Sequence, residues 1–177
     1  MNIKFYYAYK LFKDTMPIYP VYMLMFQAKG LSLTHISFLL AIWSLSVVLL
    51  EIPTGVLADH WSRKNMLIIG GLCKALGYIT WFFSEGFTLF ALGFILWGIS
   101  ESFCSGSEES LLFDNLKTKN EEEVFGKVYG KGNFFSSIGV ALSCLTGGFL
   151  SSLITYKGVL LLSVLFVIVS YPISSKV

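Results

Sequence analysis

Long apolar runs of similar length divide this chain and limit what it can fold into. A bilayer requires about twenty mostly apolar residues for each helical span, and six such runs follow one another along the 177 residues. Only 14% of the residues are charged, whereas charged residues make up about a quarter of a soluble domain. The sequence therefore predicts an all-α membrane protein with spans at about residues 8–28, 35–58, 66–84, 87–112, 128–150 and 157–174.

The first two runs carry local signals of their own. Pro17 and Pro20 lie inside the first run, and because a membrane helix tolerates proline as a kink, we expect one kinked helix there. Ser32 and Thr34 precede the second run and are typical of a helix N-terminal cap. No segment is long enough for a soluble domain, so residues 1–177 are predicted to form a single six-helix transmembrane domain.

The distribution of lysine and arginine predicts the orientation in the membrane. Basic residues in short loops concentrate on the cytoplasmic side. Six spans threaded from a cytoplasmic N-terminus leave Lys29 and Lys157 outside. The same threading places eight basic residues inside or at the inner boundary: Lys4, Lys10, Arg63, Lys64, Lys117, Lys119, Lys127 and Lys176. We predict a multi-pass protein of the plasma membrane with both termini in the cytoplasm.

The turn after the second span carries a motif. Residues 55–67 read GVLADHWSRKNML, which resembles the loop between the second and third helices of the major facilitator superfamily, approximately GxLaDrxGrkxxL. The matching positions are Gly55, Leu57, Ala58, Asp59, Arg63, Lys64 and Leu67.

In that family the loop aspartate caps a helix of the opposite half and latches the inner gate. The resemblance therefore implies a cytoplasmic gate motif in which Asp59 is the latch and Gly55 is the contact point. Arg63 and Lys64 are then the charge partners of the latch. The simpler alternative for these two basic residues is that they only anchor the topology.

Further segments resemble a bacterial drug-efflux branch of the same superfamily. They are Gly30-Leu31-Ser32, Glu51-Ile52-Pro53-Thr54-Gly55, Ser105-Gly106-Ser107 and Leu111-Leu112-Phe113-Asp114. The resemblance implies a secondary active transporter that exports small molecules, such as drugs, by alternating access across the lipid bilayer, with protons as a candidate coupling ion. The residues themselves specify neither the substrate, nor the direction, nor the coupling ion.

Members of this superfamily usually have two six-helix halves that hold the substrate between them. The resemblance implies that this chain is the N-terminal half bundle, itself a three-plus-three repeat. We expect it to work with a second six-helix half or with a second copy of the chain. The alternative is a truncated, non-transporting remnant or an assembly partner of another membrane protein.

Ionisable side chains inside the spans are candidate substrate and proton sites, because charges in a bilayer are costly and usually functional. Glu51 shares one face of the second span with Gly55 and Asp59, since the three recur every four residues. Asp14 lies in the first span, close to its predicted inner boundary.

A second polar face runs along the fourth span. Glu101 and Glu108 lie on one stripe with Gly98 and Ser105. One of the two carboxylates could bind and release a proton during transport, and Glu101 is the first choice because it lies deeper in its span. Lys74 of the third span is the expected ion partner of Glu101 or Glu51, or a substrate contact. The candidates are thus Glu101, Glu51, Lys74, Glu108 and Asp14.

Other classes of function find little support. His35 and His60 lie near opposite ends of the second span, so neither is placed as a base for the hydroxyls near Cys104, and we predict no enzymatic activity. The sequence has no paired metal-ligand motif and no basic groove interleaved with aromatic residues. We therefore predict no metal, no cofactor and no nucleic acid. The fifth span repeats small residues typical of helix packing in lipid, at Gly132, Ser136, Gly139, Ser143 and Gly147.

Overall fold

The computed structural model describes residues 3–174, except for the side chains of residues 59–60 and 172–174. The described chain is helical, with short connections and no strand among these residues. The helices are α1 (Ile3–Asp14), α2 (Tyr22–Ala28), α3 (Leu33–His60), α4 (Arg63–Phe83), α5 (Phe87–Lys117), α6 (Phe125–Leu153) and α7 (Tyr156–Ser174), and a 3₁₀ turn (Glu122–Val124) precedes α6.

Four helical segments are long and apolar enough to cross a membrane. They are Leu33–Ala58, Arg63–Phe83, Phe87–Lys117 and Glu122–Leu153, and the apolar part of α7, Tyr156–Tyr171, is shorter. The all-helical membrane architecture agrees with the prediction from the sequence. The count of six spans stays a prediction, because α1 and α2 are each shorter than a full span.

The first predicted span is not one kinked helix but two short helices with a break between them. The residues from Thr15 to Val21 leave the helix, and Pro17 and Pro20 explain why. Proline has no N–H to donate, and it also disfavours helical geometry in the residue before it. The prediction of a continuous helix was wrong because two prolines so close together leave too few helical hydrogen bonds.

Serines from two other helices bind the amides that this break releases. The Met16 amide donates to Ser143 Oγ of α6 at 2.6 Å, and the Ile18 amide donates to Ser163 Oγ of α7 at 3.1 Å. Backbone groups at membrane depth must be paired within the protein. The break is therefore an ordered part of the bundle, held between α6 and α7.

Neighbouring helices pack in the order α3, α5, α4, α7, α1 and α6. Small residues set the closest approaches. A Cβ placed on Gly139 of α6 would lie 2.5 Å from the carbonyl oxygen of Leu11 in α1, and one on Gly77 of α4 would lie 2.9 Å from that of Gly93 in α5. The small-residue face of α6 thus packs against α1, as predicted for that span.

Charged residues mark the two ends of the bundle. At one end Lys29 Nζ donates to Glu85 Oε1 at 2.6 Å, and Lys29 and Lys157 line a shared cavity of about 240 Å³. The hydrogen bond and the charge of Lys29 hold the pKa of the exposed Glu85 carboxyl below its usual value. At the opposite end Arg63 forms an ion pair with Asp114. Lys29 and Lys157 thus lie together at one end, away from Arg63, while the orientation of the two ends in a membrane stays a prediction.

Candidate functional site

One group of charges joins the first predicted span to α5. Lys10 Nζ contacts Glu108 Oε1 and Lys13 Nζ contacts Glu108 Oε2, both at 2.6 Å. Lys10 and Glu108 are each only 7% exposed. Both carboxylate oxygens are therefore occupied by ammonium groups in a buried position, and we refer to these three residues as the Glu108 triad.

Asp14 extends the same group toward α6. Its carboxylate accepts a hydrogen bond from Ser136 Oγ, on the small-residue face that packs against α1. Sequence reasoning missed the two lysines of the triad, although Lys10, Lys13 and Asp14 lie three and four residues apart on one face of α1. That spacing was the available signal, and the pairing with α5 across the bundle was not visible in the sequence.

Lys74 lies deep in the bundle, in aromatic rather than acidic surroundings. It is 2% exposed, and its Nζ donates to the Tyr19 hydroxyl at 2.8 Å. The same Nζ lies 5.5 Å from the centroid of the Tyr19 ring and 5.9 Å from that of Trp97. Trp43 of α3 packs on Trp97 with ring centroids 5.6 Å apart. We call Tyr19, Trp43, Lys74 and Trp97 the Lys74 cluster.

The expected ion pair of Lys74 with Glu101 or Glu51 is not formed. Among the described side chains Lys74 has no carboxylate partner. Glu51 is exposed on α3, so it lies on the outer surface of a helix whose inner face packs on α5. The predicted ion pair is therefore wrong, whereas the alternative of a substrate contact stays a prediction. The contact of Lys74 with Tyr19 of the proline break was not visible in the sequence.

The predicted polar stripe on α5 divides into parts with different surroundings. Gly98 packs against the backbone of α3, where an added Cβ would lie 3.1 Å from the carbonyl oxygen of Trp43. Glu101 is half-buried and has no hydrogen bond or ion pair to the described residues, whereas Ser105 is exposed. Glu108 is more buried in the bundle than Glu101, although Glu101 lies further from the end of the helix.

The gate motif surrounds the turn between α3 and α4. Arg63 Nη1 donates to the Ser110 carbonyl at 3.1 Å and to the carboxylate of Asp114, so the start of α4 is tied to the end of α5. Sequence reasoning did not single out Asp114 as a partner. Lys64 is half-buried, and the Gly55 backbone faces open space, with nothing within 4 Å of an added Cβ. The side chain of Asp59 lies outside the described residues.

The turn also borders a cavity of about 360 Å³. Its walls come from the last turn of α3, the first turn of α4 and the C-terminal part of α5. They include Trp61, Arg63, Lys64 and Asp114. The walls carry both signs of charge. A polar partner at this end of the bundle would meet Arg63 and Asp114 already paired with each other.

Comparison with known proteins gives one family. The family model described as Major Facilitator Superfamily matches residues 6–174, which includes every residue of the Glu108 triad, the Lys74 cluster and the gate motif. The comparison with curated proteins gave no match. Members of this superfamily are membrane transporters that bind small-molecule substrates. On the match across nearly all of its length, the chain belongs to the Major Facilitator Superfamily.

Proposed function

We propose that the chain is the N-terminal half bundle of a secondary active transporter that exports small molecules by alternating access. The observation that carries the proposal is the burial of Lys74 inside a bundle of this family without a carboxylate partner among the described side chains. Charges are rarely retained at membrane depth without a role in binding or transport.

The broken first segment supports a six-span half. Together α1, the break and α2 extend across residues 3–28, which is long enough for one span. Discontinuous helices form substrate sites in many transporters, because irregular backbone is tolerated where it is buried or lines a cavity. In this proposal α1 and α2 form the first span, and α3 to α7 form the other five.

The half-buried Glu101 is the proposed proton carrier. It faces no counter-ion among the described side chains, so its charge is free to change without breaking an ion pair. Glu108, in contrast, is held on both oxygens by lysines. We assign Asp14 and Glu51 to supporting positions, one bound by Ser136 and the other exposed on α3.

The gate motif is proposed to close on a second six-helix unit, either another half or a second copy of the chain. The open space at Gly55 leaves room for a closely approaching helix. In this proposal Asp59 latches the gate, while Arg63 and Lys64 orient the turn on the cytoplasmic face of the plasma membrane.

The proposal is tested by flux in reconstituted vesicles, with ethidium and radiolabelled benzoate as probes. We expect gradient-driven flux of at least one probe, reduced at least tenfold by Glu101→Gln or Asp59→Asn. Glu122→Gln is the matched control, because Glu122 lies in the exposed turn before α6. Undiminished flux in both test variants would remove the site assignment.

Crosslinking in native membranes tests the need for a partner. We expect the chain to crosslink to a second copy or to another six-helix membrane protein through a cysteine placed at the exposed position Gly55. A chain that is monomeric and inactive in vesicles would instead fit the non-transporting remnant.

A further inference from the structure

We infer that the Lys74 cluster binds the carboxylate of a planar organic anion. This inference rests on the proposed transport function, because it treats the Lys74 cluster as the substrate site of that transporter and names the class of substrate. It starts from the donors and acceptors that the cluster presents, since these limit the chemistry of any ligand.

Lys74 provides a buried positive charge without a counter-ion. An ammonium group has three N–H donors and no acceptor, and the single hydrogen bond of this one goes to the neutral Tyr19 hydroxyl. No carboxylate within the described part of the chain pairs with it. A charge removed from water is costly unless it is paired, so the surroundings of Lys74 favour a ligand that carries negative charge.

Two indole groups add further unused donors. The Nε1 atoms of Trp43 and Trp97 are both buried, and neither has an acceptor among the residues that the structure describes. Indole nitrogen donates and cannot accept. The Tyr19 hydroxyl accepts from Lys74 and lies beside the buried hydroxyl of Tyr78, so its proton is not counted among the unused donors. Lys74, Trp43 and Trp97 therefore have donors that lack an acceptor.

The rings of the cluster favour a flat apolar body on the ligand. Tyr19 and Trp97 stack with centroids 5.7 Å apart and planes only 8° from parallel. Tyr19, Trp43 and Trp97 are each half-buried, whereas Lys74 is almost fully buried. Stacking on such rings stabilises planar aromatic groups. A carboxylate attached to an aromatic ring satisfies the donors and the rings together.

The competing hypothesis is a cationic ligand, because the carboxylate of Glu101 would attract a positive charge. Glu101 lies one helical turn after Trp97 on α5 and so shares its face. We favour the anion because Lys74 is almost fully buried and has donors to fill, whereas Glu101 is half-buried. The two classes predict opposite orders of binding for ligands that differ only in charge.

The experiment measures binding of radiolabelled benzoate by equilibrium dialysis against the purified full chain in nanodiscs, with benzyl alcohol, benzylamine and acetate as competitors. We expect benzoate to bind and none of the three competitors to displace it at equal concentration. Displacement by benzylamine would contradict a preference for anions over cations. Displacement by benzyl alcohol would show that binding does not require a negative charge, and displacement by acetate would show that it does not require an aromatic ring. Absence of benzoate binding would overturn the inference as a whole.

Variants locate the binding in the cluster. Lys74→Met should weaken benzoate binding at least tenfold, and Trp97→Phe, which keeps a ring and removes the N–H, should weaken it about threefold or more. Lys157→Met is the matched control, since Lys157 Nζ also lies over an aromatic ring, 5.0 Å from the centroid of Phe82, but at the end of the bundle. Lys74→Arg, which keeps the charge, covers the case in which Lys74→Met does not fold, and it should bind within about threefold of the unmodified chain. Equal affinity in the Lys74, Trp97 and Lys157 variants would overturn the assignment.

Flux in vesicles separates this inference from the proposed function. Ethidium flux that depends on Glu101, without benzoate binding, would contradict the anion site and leave the transporter standing. Benzoate binding that depends on Lys74, without flux of any probe, would support the anion site and remove the transport function.

Discussion

The Glu108 triad takes its two lysines from α1, whereas the Lys74 cluster includes Tyr19 from the break after α1. The two regions treat buried charge in opposite ways. In the triad two ammonium groups occupy both oxygens of one carboxylate. In the Lys74 cluster one ammonium group meets only a phenol and aromatic rings. The comparison teaches that burial alone does not identify a binding site, because a fully paired charge joins helices, whereas an unpaired one is available to a ligand.

Removing the carboxylate of the triad should give the largest effect on stability. Glu108→Gln leaves Lys10 and Lys13 without their counter-ion, and breaking a buried ion pair costs about 3–5 kcal/mol. We expect a marked fall in the thermal unfolding temperature in detergent, with Glu122→Gln unchanged. The triple variant Lys10→Met, Lys13→Met, Glu108→Met should recover part of the loss. A Glu108→Gln variant as stable as the unmodified chain would contradict the structural role of the triad.

The serine at the break should have an intermediate effect. Ser143→Ala removes one of two acceptors of the Met16 amide, which also donates to the Asp14 carbonyl at 3.0 Å. An unsatisfied buried donor costs about 1–3 kcal/mol, so we expect a loss near the lower end of that range. Ser137→Ala is the control, because the exposed Ser137 bonds only to the Asn133 carbonyl of its own helix. The measurement is the unfolding temperature of both variants. Equal temperatures would show that the break does not depend on α6.

Removing the charge of the Lys74 cluster should have little effect on the ligand-free protein. Lys74→Met loses the hydrogen bond to Tyr19 and the contacts with the rings, but it also removes an uncompensated buried charge. We expect the free energy of unfolding to stay within about 1 kcal/mol of that of the unmodified chain. A loss of unfolding free energy as large as that of Glu108→Gln would show that both regions stabilise the fold equally, which contradicts the difference proposed between them.

The exposed pair at the end of the bundle should give the smallest effect. Lys29 lowers the pKa of Glu85 in the folded chain, so the stabilisation is present above the unfolded pKa of the carboxyl and is lost as the pH falls through the lower, folded pKa. Glu85→Gln should therefore remove a small part of the acid sensitivity of the unfolding temperature. Exposed ion pairs contribute little, and a large change in the variant would indicate an unrecognised role for this end.

The positions of α3 to α7 follow from local properties of the sequence. Apolar runs of span length fixed their approximate limits, and Ser32 caps α3 as predicted, accepting the His35 amide at 3.2 Å. The break in the first span was missed because its partners, Ser143 and Ser163, come from distant helices. Proline content predicted an irregularity there but not its extent.

The sequence predicted which charged residues belong to the candidate site, but it did not predict their partners. Lys74, Glu101 and Glu108 were recognised because charges stand out in apolar runs. Their partners depend on which helices are adjacent, and the contact between Lys10 and Glu108 spans 98 residues. The Lys74 cluster was missed because its donors are aromatic residues, which are common in any membrane span.

The contrast between the two regions is tested most directly by the thermal stability of the chain with and without benzoate. A ligand at about one hundred times its dissociation constant stabilises the folded state by about 2.7 kcal/mol. Benzoate should raise the unfolding temperature of the unmodified chain and leave that of Lys74→Met unchanged. An equal rise in both proteins, or no rise in the unmodified chain, would contradict the assignment of the Lys74 cluster as the ligand site.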